Sequence, residues 1–89
     1  MNQVRPEITA FAEAMEKTMQ KHDAEKGDSW KKLDVHNLET EFWMEVEELG
    51  CLQDDGIPIT SPDAIHELLD IANMAMMLFC RSQGVSESE

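Results

Sequence analysis

One stretch of the chain, residues 68–80, constrains the fold more than any other, because every residue in it is apolar except Asp70 and Asn73. It lies in a predicted helix that opens with the N-cap signal of Ser61 and ends at Gly84. A helix that is apolar on all sides is usually buried over most of its surface. A carboxylate in such a setting is costly unless it has a base, a shared proton or a metal ion as its partner. Asp70 therefore needs such a partner.

Two amphipathic helices are predicted ahead of this one. The first begins at Pro6, which suits the first helical position, and Gly27 is the expected stop. Residues 27–32 then form a loop. The second helix follows Asp34, a favourable N-cap, and is expected to end at Gly50. The sequence has no strand-like alternation, so the predicted fold class is all-α.

The chain is short, and this limits the core that its helices can form. We expect residues 1–84 to form a single helical domain and residues 85–89 to form a flexible acidic tail. A chain of this size buries only about 60% of its unfolded surface. The third helix also offers more apolar surface than two amphipathic neighbours can cover. A three-helix protomer that assembles into a four-helix-type bundle, as a homodimer or homotetramer, is therefore expected.

The charge is distributed unevenly along the chain. Residues 1–33 carry six bases and six acids, whereas residues 34–89 carry thirteen acids and only one base, Arg81. The net charge of −12 argues against nucleic acid or an anionic membrane as a partner. Cys51 and Cys80 are too few for a disulfide framework, and we see neither a secretory signal nor a membrane span. We therefore expect a cytoplasmic location.

Two pairs of acids stand at the spacing that places both members on one helix face. Glu45 and Glu48 form one pair, and Glu67 and Asp70 form the other. Two facing helices that each offer such a pair can gather four carboxylates around a hard cation, Mg²⁺ or Mn²⁺. The alternative for the first pair is an ordinary solvated face, because the same helix also carries Glu39, Glu41 and Glu47.

Three segments then resemble one family. The sequence reads MEVEE at residues 44–48 and, after a spacer of 18 residues, ELLD at residues 67–70. This order is similar to the EExxE, spacer and ExxD signature of the MazG-type all-α nucleoside triphosphate pyrophosphohydrolases. The run DIANMAMM at residues 70–77 and the loop KGDSW at residues 26–30 resemble segments of small phage and bacterial members. Met44 stands where the signature has a glutamate.

The resemblance implies a Mg²⁺-dependent enzyme of a nucleotide-pool or house-cleaning type, with Mn²⁺ as a substitute. It would cleave a nucleoside triphosphate between the α and β phosphates, releasing a monophosphate and pyrophosphate. Matched by position, the metal ligands would be Glu45, Glu48, Glu67 and Asp70. Glu45 and Glu48 would also belong to the catalytic set, together with Glu41 as an outer ligand or water-orienting base.

Five further residues are candidates for contact with the substrate or with a ligand carboxylate. Lys31 and Lys32 stand in the loop before the second helix and can grip phosphates, or they can be ordinary surface lysines. Trp30 can stack on a nucleobase or cap the end of the bundle. Asn73 can read a base or sugar, or it can be a satisfied core amide. His66, one turn before Asp70, can hydrogen-bond to a ligand carboxylate.

Two other functions remain open at this point. One is a phosphoribosyl-ATP-type pyrophosphohydrolase, which has a similar acidic signature and differs in its substrate. The other is a non-catalytic acidic helical module, such as a DNA mimic that occupies a basic groove on another protein. A mimic has no reason to bury a carboxylate, so the apolar surroundings of Asp70 favour an enzyme.

Overall fold

The computed structural model describes residues 3–84, and these form three α-helices joined by short connections. The helices are α1, Pro6–His22; α2, Val35–Asp54; and α3, Pro62–Gln83; a short 3-10 helix, Ser29–Lys31, precedes α2. No strand occurs among these residues. The prediction of an all-α chain with three helices is therefore confirmed. The tail predicted at residues 85–89 lies outside the described residues.

The third helix, α3, organises the packing. It packs extensively against α2 and less extensively against α1 and the 3-10 helix. The core is small and centres on Trp30, Leu38 and Met74, which come from the 3-10 helix, α2 and α3 respectively. The 3-10 helix, α2 and α3 therefore share one core, and Met19 of α1 packs against it.

The helix signals at Asp34, Ser61 and Gly84 are confirmed. The Asp34 side chain accepts a hydrogen bond from the His36 amide at 3.1 Å, and the Ser61 hydroxyl accepts one from the Ala64 amide at 3.2 Å. Each bond satisfies a free amide in the first turn of its helix. Gly84 ends α3 in a left-handed conformation, with φ of 71°, which glycine adopts without strain.

Two predicted helix ends are wrong. α1 ends at His22 rather than at Gly27, because the chain turns earlier, where the amides of Glu25 and Lys26 both donate to the carbonyl of His22. Part of the predicted loop at residues 27–32 is also helical, since it contains the 3-10 helix.

The second helix continues through Gly50 to Asp54. A glycine inside a helix costs only about 1 kcal/mol, and Leu49 and Leu52 on either side of it are partly buried. The stop is instead Gly56, whose φ of 80° allows the left-handed turn that closes the helix. The acidic pair on α2 thus stands in mid-helix rather than near a helix end.

A single chain leaves much apolar surface uncovered. On α3, Phe79 is 62% exposed and Ile65 is 43% exposed, so the expected burial on most sides is not reached within one chain. Trp43 and Met44 of α2 are also more than half exposed. Among the helices of residues 3–84, none combines the length and the apolar character needed to cross a membrane.

Candidate functional site

The acidic residues that meet in this fold come from the middle of α2 and the first half of α3. The two helices run antiparallel, since Leu38 early in α2 packs with Met74 of α3, whereas Glu45 further along α2 lies beside Glu67 earlier in α3. Glu45, Glu67 and Asp70 each contribute one carboxylate oxygen to a group whose atoms all lie within 4.8 Å of one another. We call these three residues the acidic cluster. The fold thus brings together three of the four predicted metal ligands, from both helices.

Two oxygens of the acidic cluster are buried without a hydrogen-bond partner, namely Oε1 of Glu45 and Oε1 of Glu67. Burial raises the pKa of Glu45 to about 7, and interaction with the neighbouring Glu67 carboxyl contributes to the shift. The negative charges of Asp70 and Glu48 raise this pKa further. In the absence of a cation, the acidic cluster therefore holds a proton close to neutral pH.

The other acids of the predicted site lie at its edge. Glu48 is exposed and is not one of the three clustered residues, but its charge raises the pKa values of both Glu45 and Glu67. Burial is the main cause of the raised pKa of Glu67. Glu41, one turn before Glu45, is exposed and lines an adjacent cavity. The roles of Glu48 as a ligand and of Glu41 as a base remain predictions.

No lysine or arginine among residues 3–84 forms an ion pair with the acidic cluster. The basic group nearest to the acidic cluster in this part of the chain is His66, whose Nε2 lies 3.5 Å from Oδ2 of Asp70, as the spacing predicted. This contact is an ion pair only when His66 is protonated. Asp70 is 22% exposed rather than fully buried, so the expectation of a buried carboxylate is met only in part. Its possible partners are protonated His66, a proton shared within the acidic cluster, and a metal ion.

The donor set of the acidic cluster fits a hard divalent cation. All three groups are carboxylates, which Mg²⁺ and Mn²⁺ prefer as ligands. The unpartnered oxygens of Glu45 and Glu67 are what such an ion would satisfy. A cation would also replace the proton on Glu45 and remove the repulsion among the three acids.

A cavity of about 390 Å³ adjoins the acidic cluster, within the roughly 300–1,000 Å³ typical of small-molecule sites. Along α3 its lining passes from Asp70 to Asn73 and then to Met77, one turn at a time. Along α2 it passes from Glu45 to Leu38. The cavity therefore has an acidic end and an apolar end.

Two side chains at the apolar part of the cavity keep unused polar atoms. Trp30 is 9% exposed and Asn73 is 5% exposed. Nε1 of Trp30 and Oδ1 of Asn73 are buried and have no hydrogen-bond partner. The Asn73 amide is oriented by its Nδ2, which donates to the carbonyl of Met15 at 3.3 Å. Asn73 is thus only partly satisfied as a core amide and offers a free acceptor to the cavity, while Trp30 offers a free donor.

The basic residues of the cavity differ from those expected. Lys31 pairs with Asp28 at 3.2 Å, and neither Lys31 nor the exposed Lys32 is among the residues that line the cavity. Lys26 does line it, and so does His22. The sequence contained a signal for Lys26, because it opens the KGDSW segment that carries the family resemblance.

Comparisons of the chain with protein-family models, with curated proteins and with solved structures find no match.

Proposed function

We propose that the chain is a divalent-metal-dependent nucleoside triphosphate pyrophosphohydrolase of a nucleotide-pool or house-cleaning type. The observation that carries this proposal is the acidic cluster, in which the carboxylates of Glu45, Glu67 and Asp70 converge beside a ligand-sized cavity. The MazG-like signature in the sequence falls on these same residues. The chemistry of the site and the resemblance therefore point to the same reaction.

The acidic cluster is the part that would hold Mg²⁺ or, in its place, Mn²⁺. Glu48 lies close enough to influence both glutamates and is proposed as the fourth ligand. When bound, such an ion supplies charge neutralisation for a triphosphate and activation of water for attack on phosphorus. The protein's own part is to hold its carboxylates in position before the substrate arrives. Glu41, exposed at the cavity, is proposed to orient the attacking water.

The cavity is the part that would hold the nucleoside. Trp30 supplies an aromatic wall and a free N–H donor, and Asn73 supplies a free acceptor at depth. Nucleobases carry both donors and acceptors on their edges, so they can satisfy both atoms. Lys26 lines the cavity, and Lys31 and Lys32 lie on the same loop; these lysines are proposed to contact the phosphates.

We also propose a homodimer or homotetramer in which α2 and α3 contribute to a four-helix-type bundle, in the cytoplasm. Exposed apolar residues on the outer faces of these helices, Trp43, Met44 and Phe79, support this assembly. Burying such side chains against another chain contributes roughly 25 cal/mol for each Å² removed from water. A second copy of the chain would cover the surface that one chain leaves open.

A panel of eight ribo- and deoxyribonucleoside triphosphates, assayed for pyrophosphate release with Mg²⁺ or Mn²⁺, tests the proposed function. We expect release that EDTA abolishes and that the Glu48→Gln and Asp70→Asn variants lose while they keep the helical circular dichroism signal. Glu47→Gln, an exposed acid on the same helix, is the matched control and should retain activity. Full activity in both site variants would contradict the assignment.

Phosphoribosyl-ATP added to the panel, together with a binding assay against basic proteins, separates the alternatives. Release from phosphoribosyl-ATP alone would identify the second enzyme class. A folded protein that releases pyrophosphate from no nucleotide, and that binds a basic protein without a divalent cation, would be an acidic interaction module instead.

A further inference from the structure

The contacts of Arg81 are unusual for a basic residue in an acidic part of the chain. It is the only base beyond residue 33, in a part of the chain that carries thirteen acids. Nevertheless, no ion pair involves Arg81 within residues 3–84. Its Nη1 instead donates to two backbone carbonyls, that of Trp30 at 2.9 Å and that of Leu33 at 2.6 Å. The guanidinium thus binds the backbone of a segment about fifty positions earlier in the chain.

Those two carbonyls belong to the segment that forms one wall of the cavity. Trp30 lies in the 3-10 helix and Leu33 follows it closely, and both side chains line the cavity. The carbonyls at the end of a short helix have no partner within that helix. Charge-assisted hydrogen bonds from an arginine are stronger than those between neutral groups. Arg81 therefore fastens the wall to the last turn of α3.

The connection matters most for Trp30, because this short segment has few other attachments. The contacts of the 3-10 helix are made mainly with α3. Lys31 beside it bonds only to Asp28 of the same loop. The indole ring packs in the core with Leu38 and Met74, and within residues 3–84 the two bonds from Arg81 are the long-range polar contacts that hold the backbone of this segment.

We propose that Arg81 is a positioning residue that acts through Trp30: it holds the tryptophan wall of the cavity in the orientation that binds ligand. The part of this inference that concerns substrate rests on the proposed function. In kinetic terms, loss of Arg81 raises KM and has little effect on kcat, because the acidic cluster on α2 and the first half of α3 is untouched.

A spectroscopic test reports on this role without any substrate. The chain has two tryptophans, and Trp43→Phe leaves Trp30 as the sole emitter. In that background we expect blue-shifted emission that acrylamide quenches weakly, since Trp30 is buried. Arg81→Met should shift the emission to the red and raise the quenching constant at least about twofold. Arg5→Met removes the same charge at an exposed position on the N-terminal side of α1 and is the matched control.

Conservative substitution and a double-mutant cycle complete the test. Arg81→Lys should keep part of the wild-type emission and quenching behaviour of Trp30. Both bonds of Arg81 come from one terminal nitrogen, and the lysine ammonium also offers a single donor nitrogen. For substrate, Arg81→Met should raise KM by about 10- to 100-fold with kcat changed less than about threefold. In a Trp30→Ala background, Arg81→Met should raise KM much less, because the residue through which Arg81 acts is missing.

The outcomes distinguish this inference from the proposed function. Unchanged Trp30 emission and quenching in folded Arg81→Met overturns the inference, even if the enzyme is active. Should Arg81→Met not fold, Arg81→Gln serves in its place, and unchanged quenching there has the same meaning. If the wild type cleaves no nucleotide but the fluorescence changes as expected, the anchoring role stands and the proposed function fails.

Discussion

Glu45 of α2 and Glu67 of α3 meet across the helix interface with one buried, unpartnered carboxylate oxygen each. Such an arrangement is unfavourable in an isolated protein, because burial and mutual repulsion both oppose ionisation. A shared proton would relieve it in part, and the proposed divalent cation would neutralise the remaining charge.

The metal-free protein should gain stability when Glu45 is made neutral. Glu45→Gln keeps the size of the side chain and removes a charge that burial, Glu67 and Asp70 all disfavour. At pH 8 in EDTA we expect Tm to rise by several degrees while pyrophosphate release is lost. Thermal unfolding followed by circular dichroism measures the change. Glu47→Gln, on the exposed side of the same helix, should leave Tm within about 2 °C; a lower Tm in Glu45→Gln would contradict the expectation.

Stability in EDTA should fall as the pH rises from about 4.5 to about 7. In this window folded Glu45 holds a proton that the unfolded chain has released, because its pKa rises from 4.5 to about 7 on folding. The unfolded state therefore binds fewer protons, and raising the pH favours unfolding. Each pKa unit corresponds to about 1.4 kcal/mol, and after allowing for partial solvent screening we expect a loss on the order of 1–3 kcal/mol.

Urea unfolding at a series of pH values measures this loss. The raised pKa of Glu67 acts in the same direction. Glu45→Gln should flatten the profile, and a wild-type stability that rises between pH 5 and 7 would show that the carboxyl is not held protonated.

Divalent cations should stabilise the wild type and have little effect once the acidic cluster is broken. At a free Mn²⁺ concentration one hundred times the dissociation constant, the gain is about 2.7 kcal/mol. For a domain of this size that corresponds to a Tm increase on the order of 10 °C. Asp70→Asn should lose most of this increase, measured by differential scanning fluorimetry. An equal increase in the variant would mean that the ion binds elsewhere.

The exposed apolar surface of α3 should hold copies of the chain together. Phe79 is 62% exposed in one chain, so Phe79→Glu should cost a monomer little but should break a contact between copies. Light scattering coupled to size exclusion should give a dimer or tetramer mass for the wild type and a lower mass for the variant. Gln83→Glu adds the same charge at an exposed position nearby and should not change the mass. A monomeric wild type would refute the assembly.

Local signals account for most of what the sequence predicted about the fold. Ser61 and Gly84 mark the ends of α3 through interactions with their own neighbours, so they could be identified without knowing the rest of the structure. The prediction that α2 ends at Gly50 was wrong because a glycine is only a weak helix breaker. The packing of the residues around it decides whether the helix continues.

The site was predictable to the extent that it depends on helix periodicity. The spacing of Glu67 and Asp70 puts both on one face of α3, and the partner pair on α2 follows the same rule. Which glutamate turns inward depends on how α2 is rotated about its axis, and this brings Glu45 rather than Glu48 into the cluster. The contact of Arg81 with the Trp30 carbonyl spans 51 positions and has no local signal.

Phosphorus NMR of the reaction products tests the proposed chemistry most directly. The wild type is incubated with the triphosphate that is turned over fastest, in Mg²⁺, and the products are observed as they form. We predict equal amounts of nucleoside monophosphate and pyrophosphate, with none formed by Asp70→Asn. Nucleoside diphosphate and inorganic phosphate, or equal turnover by Asp70→Asn, would contradict cleavage between the α and β phosphates at the acidic cluster.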